Sequence, residues 1–227
     1  MGAMGHHLTI FCRFHGVVRR IFVSEPPNWI KNKWNKTNGN YQAIPEFSII
    51  KFQLPDKSII SPFLIWGCNF AIRKSIVYKA KGFHPDGFPK EMLHLRGDGE
   101  SHISRFVSDN GLKAVFSQGA SVGHFVSSSR MTFQYFKQRG KNQGYSDSFC
   151  TFRQNQSQIL KSIRISLKFL ILFSRYLFEF NQAKKSSLWA DLSFLIGYSQ
   201  GLILSSYNFI TNIKVRNWVL KEDFMDG

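Results

Sequence analysis

At 227 residues the chain has room for one domain and an appendage, and 43% hydrophobic residues with 23 Phe exclude global disorder. Thirty Lys and Arg against 14 Asp and Glu leave a net charge of +16, which points to phosphate-rich partners: nucleic acid, anionic lipid headgroups or nucleotide diphosphates. The three cysteines, Cys12, Cys68 and Cys150, are odd in number and far apart, so no disulfide framework is implied and reduced, cytoplasmic thiols are expected.

In chain order, residues 1–7 (MGAMGHH) read either as an appended tag or as the remnant of a strand. Residues 8–23 (LTIFCRFHGVVRRIFV) are rich in β-branched and aromatic side chains, which predicts one or two strands. The stretch is too short and too basic to span a membrane. His6, His7 and His15 have no Cys or acidic partner at ligand spacing, which favours a tag-like or surface role over a metal site. From Glu25, Pro26 and Pro27 open a polar, basic loop to Tyr41 that contains Trp29 and Trp34, with Asn38-Gly39-Asn40 as a turn signal. Residues 47–54 alternate enough to predict a strand, and Pro55-Asp56-Lys57-Ser58 turns into Ile59-Ile60 as a hairpin-like excursion.

Residues 62–70 (PFLIWGCNF) predict a buried strand with Asn69 at its carboxyl end, where ligands of α/β sheets bind, and with Gly67 allowing close backbone approach. A short helix begins at Arg73-Lys74-Ser75 and runs to about Lys81. A Gly/Pro-rich loop then delivers Asp98-Gly99-Glu100 to a second helix over 101–110, closed by Gly111. Two carboxylates one residue apart have two readings here. One is a turn followed by a charge that suits the helix N-terminus. The other is chemical, because an ionised carboxylate can take a proton from an attacking hydroxyl. A strand is predicted over 120–122, with His124 just after it. A basic, polar run with Arg130, Arg139 and Lys141 follows.

The order Gly67-Cys68-Asn69-Phe70-Ala71-Ile72-Arg73, Gly82-Phe83, Gly97-Asp98-Gly99-Glu100, then Ala120-Ser121-Val122-Gly123-His124, resembles the C-terminal half of the catalytic domain of family 2 glycosyltransferases. These are inverting enzymes of the GT-A fold, and the likeness covers roughly residues 25–149. It implies an α/β, Rossmann-like GT-A domain that is incomplete, lacking its N-terminal nucleotide-binding half, followed by an α-helical C-terminal region. The expected division is an atypical segment 1–23, the half-domain 24–153 and a helical extension 154–227.

By the same resemblance, Glu100 or Asp98 is the general base. The family presents Glu-Asp where this chain has Asp-Gly-Glu, so the register between the two stays open; alignment on Ser104-Arg105 favours Glu100. Trp66, Gly67 and Asn69 fall near the donor sugar or the acceptor. Arg130 and Arg139 face the leaving diphosphate, with a solvated basic surface as the alternative. His124 is either a ligand of a divalent metal, Mn²⁺ or Mg²⁺, or a satisfied structural histidine. Trp29 and Trp34 either stack on a sugar ring or anchor their loop. The family's D-x-D metal motif does not occur in these residues, which implies a truncated, split or fragmentary enzyme, inactive by itself.

Residues 154–227 read as helical. Lys161, Arg164, Lys168 and Arg175 share one helical face, while Ile159, Ile163, Leu167, Leu170, Phe173 and Leu177 occupy the others. Such a helix either lies on an anionic membrane surface or packs on the domain with a solvated basic stripe. The uncharged run 192–213 is interrupted by Ser, Gln, Asn and Thr, which disfavours a membrane span. Residues 218–224 resemble a closing helix of related transferases.

Two functional classes follow. The first is transfer of a sugar from a nucleotide-diphosphate sugar to a glycan or lipid-linked acceptor in polysaccharide biosynthesis, cytoplasmic or peripheral at the membrane. The alternative is a basic amphipathic membrane- or anion-binding protein without catalysis. Nucleic acid is not an expected partner, since zinc spacing, RNA-binding aromatic motifs and helix-turn-helix signals are missing from the sequence.

Overall fold

The computed structural model describes residues 11–15, 18–84, 91–92 and 99–225. The chain is mixed α/β, with small sheets and a helical C-terminal region. Strands β1 (Phe11–His15) and β2 (Val18–Phe22) arise from the β-branched N-terminal run. They pair in parallel with β7 (Lys113–Phe116) and β8 (Val122–Val126), respectively. Parallel pairs need a long crossover, and everything from residue 23 to 112 forms it.

Within that crossover, the polar loop expected after Pro26-Pro27 begins instead as helix α1 (Asn28–Trp34), with Pro27 at its N-cap. Proline restricts the residue before it and leaves the residue after it free to start a helix. Trp29, Ile30 and Trp34 are its buried face, so both tryptophans anchor the core and neither is available to stack on a ligand. Strands β3 (Thr37–Asn38), β4 (Tyr41–Ile44) and β5 (Ile49–Phe52) make an antiparallel meander. The excursion expected over 47–60 is therefore split: β5 pairs backward with β4, while β6 (Ile59–Ile60) pairs forward with β7.

The strand expected over 62–70 does not form. Two 3-10 turns, Pro62–Leu64 and Gly67–Asn69, take its place. Helix α2 (Lys74–Lys79) and helix α3 (Glu100–Asp109) lie where expected and pack through Ile76, Ala80, Ile103 and Val107. Asn110 ends α3 and Gly111 follows at φ +63°, a conformation that suits glycine. His124 lies inside β8 rather than after it, because the strand begins two residues later than the sequence suggests.

The main core gathers Trp29, Ile30, Phe47, Ile49, Ile50, Phe116 and Phe136. Four helices follow: α4 (Phe133–Arg153), α5 (Gln158–Leu177), α6 (Gln182–Thr211) and α7 (Ile213–Val219). The closing helix expected over 218–224 instead ends at Val219, since Asn212 caps α7 earlier by accepting from the Lys214 and Val215 amides.

Helices α4 and α6 cross at unusually short range. A Cβ built at Gly140 would lie 2.0 Å from the Phe194 carbonyl oxygen, and one at Gly197 would lie 1.8 Å from that of Lys137. Gly144 and Gly201 repeat the arrangement one turn on. Only residues without a Cβ permit this approach. Ala190 of α6 joins the main core, and Tyr145 and Phe149 of α4 share a second core with Val215, Trp218 and Val219. The helical region thus packs on the α/β part through shared cores. No helix among the described residues is long and apolar enough to cross a membrane.

Candidate functional site

The site is built around the 3-10 turn Gly67–Asn69. The Gly67 amide donates to Glu100 Oε1 at 2.8 Å. A Cβ at Gly67 would stand 3.0 Å from the same oxygen, so glycine leaves the space this contact needs. Glu100 opens α3 as its first-turn acid, where the free amides of a helix N-terminus favour negative charge. The long-range bond to Gly67 joins that carboxylate to a loop 33 residues earlier. Ser104, one turn further along α3, donates to the Pro62 carbonyl at 3.0 Å and fixes the loop's other end.

Between these elements lies a cleft of about 260 Å³. Trp66 and Glu100 line it from the loop and the helix start, and Arg105 comes from the next turn of α3. Arg139, Gln143 and Asp147 line the facing side; spaced four residues apart, they form one stripe of α4. Gln143 donates to Asp147 Oδ1 at 2.9 Å and the Tyr198 hydroxyl donates to Asp147 Oδ2 at 2.5 Å, which fixes this carboxylate. Burial first, and the Asp147 charge second, push the Tyr198 phenol upward, so it stays a donor. Buried Arg105 Nε has no hydrogen-bond partner among the described residues.

A second group lies across the Gly67–Asn69 turn. Arg130 donates from Nη1 to His124 Nε2 at 3.0 Å and from Nε to the Tyr135 hydroxyl at 2.8 Å. Tyr135 in turn donates to the Glu46 carbonyl at 3.2 Å. Burial and the Arg130 charge both push the His124 imidazole down, so it is neutral with Nε2 as the acceptor. Asn69 Nδ2 donates to the Ala120 carbonyl at 2.8 Å, which ties the turn to the segment before β8. Partial burial raises the Cys68 thiol; Glu100 adds to this shift and Arg130 opposes it. Both charged groups therefore act on this turn.

Of the residues singled out in the sequence, Trp66, Glu100 and Arg139 line one cleft and Gly67 holds Glu100 in place. Asn69 belongs to the turn and His124 and Arg130 lie beside it, and none of the three lines the cleft. Asp98 lies outside the described residues. Arg105, Gln143 and Asp147 are additions from the structure. A single helix through the polar run would have aligned the last two with Arg139.

At the expected metal ligand, His124 Nε2 already accepts from Arg130 Nη1. No three His, Cys, Asp or Glu side chains among the described residues form a metal-holding group.

A second cavity of about 540 Å³ shares Trp66 as a wall. Its lining includes Lys36, Asn38 and Tyr41 at the β3–β4 hairpin and Lys168 of α5.

No family model, curated protein or solved structure matches this chain.

Proposed function

We propose that this chain carries the acceptor-activating half of a family 2, inverting, GT-A glycosyltransferase that uses a nucleotide-diphosphate sugar. One observation carries the reading: Glu100 is held by the Gly67 amide at the mouth of a cleft that also contains Trp66 and Arg139. In this reading the Glu100 carboxylate accepts the proton of a glycan or lipid-linked hydroxyl as that oxygen attacks the anomeric carbon. The Gly67 bond directs the carboxylate and leaves its second oxygen free of that contact. Trp66 offers an apolar wall for a sugar ring. In the same reading Arg139 and Arg105, which line the cleft, offset the negative charge that grows on the leaving diphosphate. No step is assigned to a metal.

Glu100→Gln keeps the shape and the Gly67 contact but removes the base. In the protein that carries this chain, it is expected to lower transfer roughly a thousandfold, while nucleotide-sugar affinity by calorimetry stays within about twofold. Retained turnover would remove Glu100 from the role, and Asp98→Asn would then test the neighbouring carboxylate.

A further inference from the structure

We infer that α5 is an in-plane docking surface for an anionic lipid bilayer. The helix has no buried residue along its 20 positions. Its half-buried flank, Ile165, Phe169, Leu172 and Tyr176, turns toward α6, where Tyr176 meets Trp189 with ring centroids 5.6 Å apart. The opposite stripe is apolar and open to solvent. Ile159, Ile163, Leu167, Leu170 and Leu177 recur at helical spacing, and Ile159 and Leu170 are 69% and 62% exposed. Phe178 and Phe180 extend the patch beyond the helix end, at 77% and 92% exposed. On α6, Trp189, Ile196, Ile203 and Ile210 recur every seven residues; Trp189 meets α5, and Ile203 and Ile210 are exposed.

An apolar face of this size marks a contact surface, and the charges beside it identify the occupant. Residues 158–177 contain no Asp or Glu. Arg164, Lys168 and Arg175 are exposed and run along one edge of the apolar stripe. Their long stems can lie on the stripe while their charges reach a headgroup layer. Lys161 is not part of this set, because its ammonium donates to the Asp147 carbonyl and to Thr151 Oγ1. A second copy laid on the same stripe would bring two such cation rows together, at the cost of like-charge repulsion. An anionic membrane meets both features at once. Lys168 also lines the 540 Å³ cavity, so docking would set that cavity beside the headgroups.

The test is flotation of the full chain with vesicles of phosphatidylcholine alone or with 30% phosphatidylserine. Binding is expected to the anionic vesicles and to fall as salt rises. Arg164→Glu with Lys168→Glu and Arg175→Glu should weaken it at least about a hundredfold. Leu167→Glu with Leu170→Glu should abolish it, with circular dichroism unchanged. Three outcomes would overturn the inference: no flotation with anionic vesicles, flotation unaffected by the α5 substitutions, or a dimer in sedimentation equilibrium that Leu167→Glu dissociates.

Discussion

Helices α5 and α6 are neighbours of comparable apolar content, and the fold treats them in opposite ways. Helix α6 presses against α4 until backbone meets backbone, whereas α5 buries none of its residues. The difference lies in small residues rather than in hydrophobicity. Gly197 and Gly201 lower one ridge of α6, and Gly140 and Gly144 lower the facing ridge of α4. Helix α5 has no glycine, and its Leu and Ile side chains hold any partner at ordinary distance. Gly197→Ala should break the packed side most severely. Its methyl would meet the Lys137 carbonyl carbon and oxygen, both backbone atoms that no rotamer change can move aside. A loss of about 3 kcal/mol or more is expected, read as a fall in denaturant midpoint. A change below 1 kcal/mol would mean that the two helices separate freely and that the contrast with α5 is shallow.

The cations sharpen the same contrast. Lys33 of α1 lies buried between Asp191 of α6 and Glu46, with the latter 3.8 Å away. Burial alone would lower its ammonium, but the two carboxylates outweigh burial and the net shift is upward. A raised folded value means that the stabilisation is complete below the unfolded lysine range near 10.4 and is lost as pH rises through the folded value. Lys33→Met should therefore cost about 3 kcal/mol near neutrality, since it leaves two acids facing without a cation. The variant should also lose Lys33's share of the alkaline destabilisation expected above about pH 10. Unchanged melting at pH 7 would reduce the triad to a surface ion pair.

How much of this was legible in the sequence depended on whether the signal was local. Helices α2 and α3 and the two N-terminal strands follow from turn glycines and β-branched runs, which act within a few residues. The run 62–70 was misleading because a short apolar stretch has no period to separate strand from turn, and Pro62 starts a 3-10 turn. Helix α1 was hidden behind two prolines, although Trp29, Ile30, Lys33 and Trp34 already show helical spacing. At the site, the position of Glu100 at the start of α3 was readable, but its bond to Gly67 is tertiary. Arg105 and Asp147 reach the cleft only because α3 and α4 face each other there. For α5, amphipathicity was evident, but which face would be covered was not. That choice belongs to α6, which takes the flank centred on Ile165 and Phe169 and leaves the more apolar stripe bare.

The smallest expected effect is the most discriminating for that last point. A leucine in a packed core loses about 2 to 5 kcal/mol when cut back to alanine. Leu167 and Leu170 stand 56% and 62% exposed, so their side chains gain little on folding of the isolated chain. Leu167→Ser with Leu170→Ser should therefore shift stability by no more than about 0.5 kcal/mol, the range of surface substitutions. Thermal melts of the lipid-free chain would show it directly. If the double variant instead costs 2 kcal/mol or more without vesicles, the stripe is already covered in solution. The apolar face of α5 would then belong to the protein's own packing, and the contrast with α6 would be one of degree.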